Sequence, residues 1–232
     1  MAVSTLSVPA MGLKLPKGWG TRPVMVQVLT KGWNKYGKFF KQASKTSNVP
    51  VQVLMAFAVV ESTMNPSAST GLTTGMMQWN RADGYANKVL ETEFKLGRMS
   101  DAEKEILSRK GVKWDVNGKF APITASQQLD AELNILIGSI YLGQYADSIV
   151  GGKKIPEFAT ENGVLRVDRM IPLYNTGENS DDSETAKSKK WATPLLTAQN
   201  SKKAITRDYI HKILGVDGAL DVLTKELKNV VV

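Results

Sequence analysis

The sequence predicts a mainly α-helical globular protein, and three observations support this fold class. Hydrophobic residues make up 42% of the 232 residues and charged residues 22%, which is typical of a folded globular chain and excludes a mostly disordered or fibrous one. In several segments, apolar residues recur at steps of three and four, the period of a helix with one buried face. No internal repeat occurs, so the length suits one large domain, or one domain with extensions.

A helix is predicted from about Pro23 to residue 45, because apolar residues recur there at steps of three and four and form one stripe. Its members are Met25, Leu29, Trp33, Tyr36, Phe40 and Ala43. A second helix follows Ser47-Asn48-Val49-Pro50, with the proline in its first turn. This second helix, through Ser62, is apolar on nearly every side and is therefore expected to be buried. Its longest purely apolar run, residues 53–60, is far too short to span a membrane.

The middle of the chain alternates between irregular and helical segments. Residues 64–80 are rich in Gly, Ser, Thr and Pro and predict a structured loop with a short hairpin. Residues 84–110 predict helix, with a capping box at Ser100–Glu103. A turn-rich segment follows at 111–122, where Asn117-Gly118 is a hairpin signal.

The second half predicts three further helices and a loop. Residues 126–145 have a clear apolar stripe, made of Leu129, Leu133, Leu136, Ile137, Ile140 and Tyr141. Residues 165–174 predict a helix that ends near Asn175-Thr176-Gly177, and residues 206–214 predict another. Residues 178–190 are polar and charged, which predicts a flexible surface loop, and 219–229 predict a short amphipathic tail.

The residue inventory narrows the possible chemistry. The chain has no cysteine, which excludes disulfides, thiolate catalysis and zinc sites with Cys ligands. A single histidine, His211, argues against a His-rich metal site and against a Ser/His/Asp triad. We therefore expect neither a metal nor an organic cofactor.

The net charge of +8 is concentrated at the beginning of the chain. Residues 1–60 contain no acidic residue, and their basic residues are Lys14, Lys17, Arg22, Lys31, Lys35, Lys38, Lys41 and Lys45. The remainder is neutral, with 22 basic and 22 acidic side chains. A basic segment on a neutral body predicts an anionic partner, such as nucleic acid, a membrane surface or a cell-wall polymer. A solvated cationic helix face is the alternative.

Residues 1–20 predict an extended arm without a secretion signal. They lack a charged start followed by an apolar core, because Lys14 and Lys17 come after the weakly apolar part. We expect synthesis in a host cytoplasm without export by the general secretory route.

Glu61, the first acidic residue of the chain, follows the buried apolar helix. A carboxyl group at that place loses solvation, which raises its pKa. A carboxylic acid that stays protonated near neutral pH can protonate the leaving oxygen of a glycoside. Alternatively, Glu61 only marks the point where the helix reaches solvent.

Five motifs in order resemble the lysozyme-like lytic transglycosylases, the soluble-lytic-transglycosylase family of bacteria and phage virions. They are ESTMNPSA from Glu61, GMMQ from Gly75, NILIGSIYL from Asn134, LYNTG from Leu173 and TRDYIHKIL from Thr206. The family patterns are E-S-x-x-N-P-x-A, G-L-M-Q, N-x-x-x-G-x-x-Y-L and A-Y-N-x-G, followed by a late tyrosine on a helix. The resemblance covers roughly residues 45–215.

The resemblance implies a mainly α, lysozyme-like fold of the goose-type lysozyme and lytic transglycosylase class, with a short hairpin or structured loop near the active site. It divides the chain into a basic arm and helix packed on the body (1–45), a catalytic domain (46–215) and a tail helix (216–232). About 55 residues separate Gln78 from Asn134, which is long for the family, so residues 84–122 are interpreted as an insertion. That insertion either lines or covers the groove, or is decoration.

The resemblance also implies a reaction. The substrate is the glycan strand of peptidoglycan, cut at the β-1,4 bond from N-acetylmuramic acid to N-acetylglucosamine. Glu61 acts first as acid and then as base, and the muramoyl C6 hydroxyl closes a 1,6-anhydro ring without water. The alternative activity is that of a hydrolytic muramidase with the same groove. The alternative to a single carboxylate is a second one, Asp83 or Glu91, close to Glu61 in space.

Further site residues follow from the family positions. Ser62 and Ser69 are expected to bond near Glu61 or to sugar hydroxyls, and Gln78 with the backbone of Met77 to hold N-acetyl groups. Tyr174 is expected to orient Glu61 or the acetamido group. Asn175 is expected to bind sugar, and Tyr209 to lie on the groove floor beside Glu61. The alternatives are structural. Met77 and Tyr209 would then be plain core residues, and Asn175-Thr176-Gly177 would be a helix C-cap.

The setting implied by these features is a phage protein. The basic arm and the missing secretion signal favour a virion-associated enzyme or an endolysin that reaches the host cell wall, with other virion proteins among its partners. The alternative from another class is a non-catalytic virion or cell-wall-binding protein that acts through the basic arm, with Glu61 inert.

Overall fold

The computed structural model describes residues 19–70, 73–80, 84–161, 164–188 and 201–228, and this part of the chain is mainly α-helical. The helices are α1 (Arg22–Ser47), α2 (Val51–Ser62), α3 (Tyr85–Lys95), α4 (Asp101–Arg109), α5 (Ala125–Leu129), α6 (Ala131–Ala146), α7 (Val167–Thr176), α8 (Asp181–Lys187), α9 (Ala204–Leu214) and α10 (Ala219–Lys225). The mainly α class is thus confirmed. The arm predicted over residues 1–20 lies almost wholly outside the described residues.

Helix α6 is the centre of the core. All of its residues except Ala131 are buried, so it is not the amphipathic helix that the sequence pattern predicts. Helix α1 packs along α6 and also contacts α2 and α10. Helix α2 is buried almost all round, as its apolar sequence predicts, and ends at Ser62 against the 64–80 loop.

Helix α1 buries one side and exposes the other. Met25, Leu29 and Phe40 lie on the buried side, which matches the predicted stripe. At its first residue, Arg22 forms ion pairs with Asp217 (2.5 Å) and Asp221 (2.9 Å). These bonds fix the beginning of α1 to the segment that precedes and forms α10.

Two long predicted helices are each divided in the structure. The predicted helix over 84–110 is α3 and α4, separated by a turn in which Gly97 has a φ of +64°. The predicted capping box is present, since the Ser100 hydroxyl accepts from the Glu103 amide and the Glu103 carboxylate accepts from the Ser100 amide. The helix over 126–145 is α5 and α6, because Asp130 is extended and caps α6. Leu129 is 43% exposed and lies outside the buried stripe.

The prediction of a flexible loop over 178–190 is wrong for residues 181–187, because these residues form α8. Ser180 caps this helix, and acidic residues occupy its first turn, where they interact favourably with the helix dipole. The buried Asp182 carboxylate accepts from the amides of Lys202 and Lys203 and so fixes the chain that enters α9.

The strands are short and lie in hairpins. β1 (Ile149–Val150) pairs antiparallel with β2 (Lys153–Lys154), and β3 (Thr160–Glu161) with β4 (Val164–Leu165). The sequence analysis predicted none of them. The 64–80 loop contains the bridges Ser69–Thr74 and Thr73–Asn80, and the 111–122 segment contains Trp114–Phe120, in keeping with the predicted turns.

None of the helices in the described ranges is both long and apolar enough to cross a bilayer.

Candidate active site

A cleft of about 470 Å³ opens at the C-terminal end of α2. Its walls come from α2, the 64–80 loop, α3, α6, α7 and the start of α9, and Glu61 is the one acidic side chain among its described lining residues. The volume lies in the range of small-molecule sites in proteins.

Glu61 is half-buried and held by one phenol. The Tyr209 hydroxyl of α9 donates to Glu61 Oε1 at 2.6 Å. Burial raises the pKa of Glu61 from 4.5 to about 7, although the Tyr209 hydrogen bond and the Lys212 charge act in the opposite direction. At neutral pH this group therefore exists in comparable amounts as acid and as carboxylate, which suits proton transfer in both directions.

Aromatic rings form the floor beneath Glu61. The Phe57 ring of α2 lies 5.0 Å from the Tyr174 ring and 5.9 Å from the Tyr209 ring. Burial, and next the nearby Glu61 carboxylate, raise the pKa of both tyrosines well above the usual value. Both phenols therefore stay protonated and act as hydrogen-bond donors.

The 64–80 loop is attached to the two central helices. The Ser62 hydroxyl, buried at the end of α2, donates to the Met76 carbonyl at 2.8 Å and accepts from the Asn65 amide. From α6, Asn134 accepts from the Met77 amide at 2.7 Å and donates to the carbonyls of Thr74 and Gln128. These bonds account for the serine in the ESTMNPSA motif and for the asparagine that begins the NILIGSIYL motif.

Two glycines allow this close approach. Gly75 has a φ of +92°, and a Cβ atom there would lie 2.1 Å from Asn134 Nδ2. A Cβ atom on Gly138 of α6 would lie 2.8 Å from the Met77 side chain. A larger residue at either position would push the loop away from α6.

The structure assigns internal roles to two residues expected to hold N-acetyl groups. The Met77 amide is bonded to Asn134, and its carbonyl accepts from the Tyr174 hydroxyl at 2.6 Å. The Gln78 amide group donates to the carbonyls of Ala68 (2.9 Å) and Gly75 (2.6 Å). Met77 is therefore core, and Gln78 lines the cleft while holding the loop together.

The other predicted residues separate into those at the cleft and those behind it. Asn175 lines the cleft, and its buried Nδ2 has no hydrogen-bond partner among the described residues, so this donor is available to a ligand. Tyr174 lines the cleft, but its hydroxyl donates a hydrogen bond to the Met77 carbonyl and not to Glu61. The Ser62 hydroxyl is used inside the protein, and Ser69 is exposed on the loop, 3.3 Å from the Thr74 hydroxyl.

The structure adds residues that the sequence analysis did not assign to the site. Thr70, Thr73 and Asn80 of the loop line the cleft, as do Tyr85 of α3 and Tyr141 of α6. Tyr141 was noted as the tyrosine of the NILIGSIYL motif and as part of the apolar stripe, whereas nothing in the sequence singled out Tyr85. Because Tyr85 begins α3, the segment interpreted as an insertion lines the cleft.

No group of three or more His, Asp or Glu side chains that could hold a metal ion occurs among the described residues. Of the two carboxylates considered as a second acid, Asp83 lies outside the described residues, and Glu91 lines a neighbouring pocket. The chain matched no protein-family model. It matched no curated protein either.

Proposed function

We propose that the protein is a glycan-cleaving enzyme with a lysozyme-like fold. Within that class, we propose a peptidoglycan lytic transglycosylase that cuts the bond between N-acetylmuramic acid and N-acetylglucosamine. The observation that supports this most strongly is Glu61: a carboxyl group with a pKa of about 7, at a cleft, bonded to a buried phenol. The order of the five sequence motifs supplies the choice of substrate.

The proposed reaction uses Glu61 twice. Protonated Glu61 gives its proton to the glycosidic oxygen, while the 2-acetamido oxygen of the muramoyl residue stabilises the positive charge that develops at C1. Ionised Glu61 then takes the proton of the C6 hydroxyl, whose oxygen bonds to C1 and closes the 1,6-anhydro ring. A pKa close to the working pH serves both steps, because neither protonation state is strongly disfavoured.

The surroundings of Glu61 fit this one-carboxylate scheme. Common retaining and inverting glycosidases place two carboxyl groups across the scissile bond, whereas Glu61 is the one acidic residue among the described residues of the cleft. The Asn175 amide supplies an unused donor for a sugar oxygen. Tyr209 fixes the orientation of the carboxyl group, so that its free oxygen is presented to the substrate.

Digestion of purified peptidoglycan by the wild type and by Glu61→Gln tests this function. We expect anhydromuramoyl products from the wild type, identified by mass, and none from the variant. Glu105→Gln, an exposed residue of α4, is the matched control and should retain full activity. Reducing-end products would move the protein to the hydrolytic muramidases with the same acid, and no release from walls of several bacterial types would refute an enzymatic role.

A binding function for α1 is the second candidate, and a row of lysines favours it. The five exposed lysines of α1 lie on one arc of about 120° that extends about 21 Å along the helix, given 100° and 1.5 Å per residue. They are Lys31, Lys35, Lys38, Lys41 and Lys45. None forms an ion pair with another described residue. A linear row of cations without acidic partners among the described residues suits an anionic polymer, DNA or a wall polymer, and a phage virion would supply contact with both.

Deletion of residues 1–48 is not a suitable test, because α1 is part of the core. Replacing the five lysines by glutamine removes the charge and keeps the buried side of α1. If all five contact phosphates, the magnitude of the slope of log affinity for DNA against log salt should fall by about 4.5. An unchanged slope, for DNA and for isolated cell walls, would leave the lysines as a solvated helix face.

A further inference from the structure

A second pocket of about 280 Å³ lies beside the cleft, and the two have a common wall. Tyr85 lines both cavities. Further along the wall, Gly177 lines the cleft and the next residue, Glu178, lines the second pocket. The cleft and the second pocket therefore lie side by side, with Tyr85 between them.

Helix α3 forms one side of this pocket with a row of polar side chains. Lys88, Glu91, Thr92 and Lys95 follow each other at the i, i+3, i+4, i+7 spacing and so lie on one helix face. The turn between β1 and β2, Gly151-Gly152, and Glu178 lie opposite. A Cβ atom on Gly151 would lie 3.3 Å from Glu178 Oε2, so the bare turn leaves space for this carboxylate.

The pocket has charges of both signs, and two of them, Lys88 and Glu178, have no ion-pair partner among the described residues. Lys88 is exposed, whereas Lys95 forms a long i,i+4 ion pair with Glu91 at 4.0 Å. Glu178 accepts from the Tyr145 hydroxyl at 3.1 Å but has no cationic partner among the described residues. Such a pocket suits a ligand that has both carboxylates and an amine.

Hydrogen bonds join the side chains of the common wall. The hydroxyls of Tyr85, Tyr141 and Tyr145 are bonded to one another, and the Tyr145 hydroxyl reaches Glu178. Burial raises the pKa of Tyr85 to about 12, with the Glu178 charge as the next cause, so this phenol stays protonated at physiological pH. These bonds tie α3 to α6 along the wall between the two cavities.

We infer that this pocket binds the peptide stem that branches from the muramoyl residue, an inference that rests on the proposed function. The stem is a short peptide whose carboxylates and free amine match Lys88 and Lys95 on one side and Glu178 on the other. The glycan lies in the cleft next to Glu61, and the stem crosses Tyr85. The substrate class is then the stem-bearing glycan strand, in preference to the bare glycan.

Paired substrates test this assignment. Glycan strands with intact stems and strands stripped of stems by an amidase are given to the wild type and to Lys88→Glu with Lys95→Glu. We expect the ratio of kcat/KM for stem-bearing over stripped strands to fall at least fivefold in the variant. Lys113→Glu with Lys119→Glu, two exposed lysines outside the pocket, should keep the wild-type ratio. An unchanged ratio in the pocket variant would overturn the inference.

A binding measurement separates this inference from the proposed function. A soluble stem tripeptide, L-Ala–D-Glu–diamino acid, is titrated into Glu61→Gln protein and followed by the NMR shifts of backbone amides. Shifts centred on residues 88–95 and 151–152, lost in the double lysine variant, would support the pocket even if no glycan is cleaved. Cleavage of glycan without any such shifts would overturn the pocket and leave the proposed function in place.

Discussion

Glu61→Gln is expected to stabilise the folded protein at alkaline pH, because the fold resists ionisation of Glu61. In the unfolded chain this carboxyl group has a pKa near 4.5, and burial raises it to about 7 in the fold. Below pH 4.5 both states bind the proton, and the group does not affect stability. Between pH 4.5 and 7 the unfolded chain releases the proton first, so the free energy of unfolding falls as pH rises.

The size of this effect follows from the same two pKa values. A difference of about 2.5 pKa units, at about 1.36 kcal/mol each, corresponds to about 3 kcal/mol at pH 8. Glutamine keeps the shape and the oxygen that accepts from Tyr209 but does not ionise. For a chain of this length, a gain of that size corresponds to a rise in Tm of about 6–12 °C.

Urea unfolding of the wild type and of Glu61→Gln, at pH 4 and at pH 8, measures the effect. The quantity of interest is the change with pH in the stability difference between the two proteins, which cancels the titration of all other groups. Glu105→Gln serves as the control for the loss of an exposed carboxyl group, and its difference between the two pH values is subtracted. If the Glu61→Gln difference is the same at both pH values, or smaller at pH 8, the elevated pKa of Glu61 is refuted.

Three further predictions concern the supports of the site and the fold. Tyr209→Phe removes a hydrogen bond to a carboxylate worth about 1.5–3 kcal/mol, so the pKa of Glu61 should rise from about 7 by one to two units in a 13C NMR titration. Asn134→Ala leaves the buried Met77 amide without its partner and should lower the free energy of urea unfolding by about 3–5 kcal/mol. Arg22→Met breaks the ion pairs at the start of α1 and should lower it by about 1–2 kcal/mol, less in high salt.

Each of these has a clear contrary result. A Glu61 pKa that stays at about 7 or falls in Tyr209→Phe would mean that the phenol does not stabilise the carboxylate. A loss below about 1 kcal/mol in Asn134→Ala would mean that water replaces the lost bonds. A loss in Arg22→Met that does not depend on salt would assign the effect of Arg22 to packing of its aliphatic part.

The helices that bury one face or all faces were predictable from the sequence, because burial imposes its period on the residues. This holds for α1, α2, α7 and α9, whose predicted and observed ranges differ by a few residues. Helix α8 was missed because its seven residues are mostly polar and have no apolar stripe. The available signal was Ser180 followed by acidic residues, which favours a helix start by capping and charge.

The breaks inside long helical segments were harder to predict than the helices themselves. Asp130 interrupts an otherwise helical run by serving as the cap of α6, and one-dimensional periodicity does not distinguish a cap from an exposed helical position. The hairpins at 149–165 have strands of two residues, too short for a period of two to appear. Their position depends on tertiary contacts, such as those between β1 and α6.

For the site, the sequence located Glu61 correctly at the end of a buried helix and placed Tyr209 in the same motif set. The internal bonds of Met77 were not predictable, because its partners Asn134 and Tyr174 are 57 and 97 residues away in the sequence. The bonds of Gln78 stay within the loop but depend on how the loop folds back on itself. Asn134 was noted only as part of a motif, because its bonds to Met77 and Thr74 exist only when the loop packs against α6. Tyr85 had no signal at all.

The attachment of the 64–80 loop to α6 has a consequence for how the cleft can open. Because Asn134 bonds the backbone of the loop at Thr74 and Met77, the loop cannot separate from α6 without exposing buried polar groups of the central helix. Loop and central helix therefore belong to one cooperative unit in local unfolding, and their amides should exchange at similar slow rates. Any widening of the cleft must therefore come from walls other than the 64–80 loop and α6.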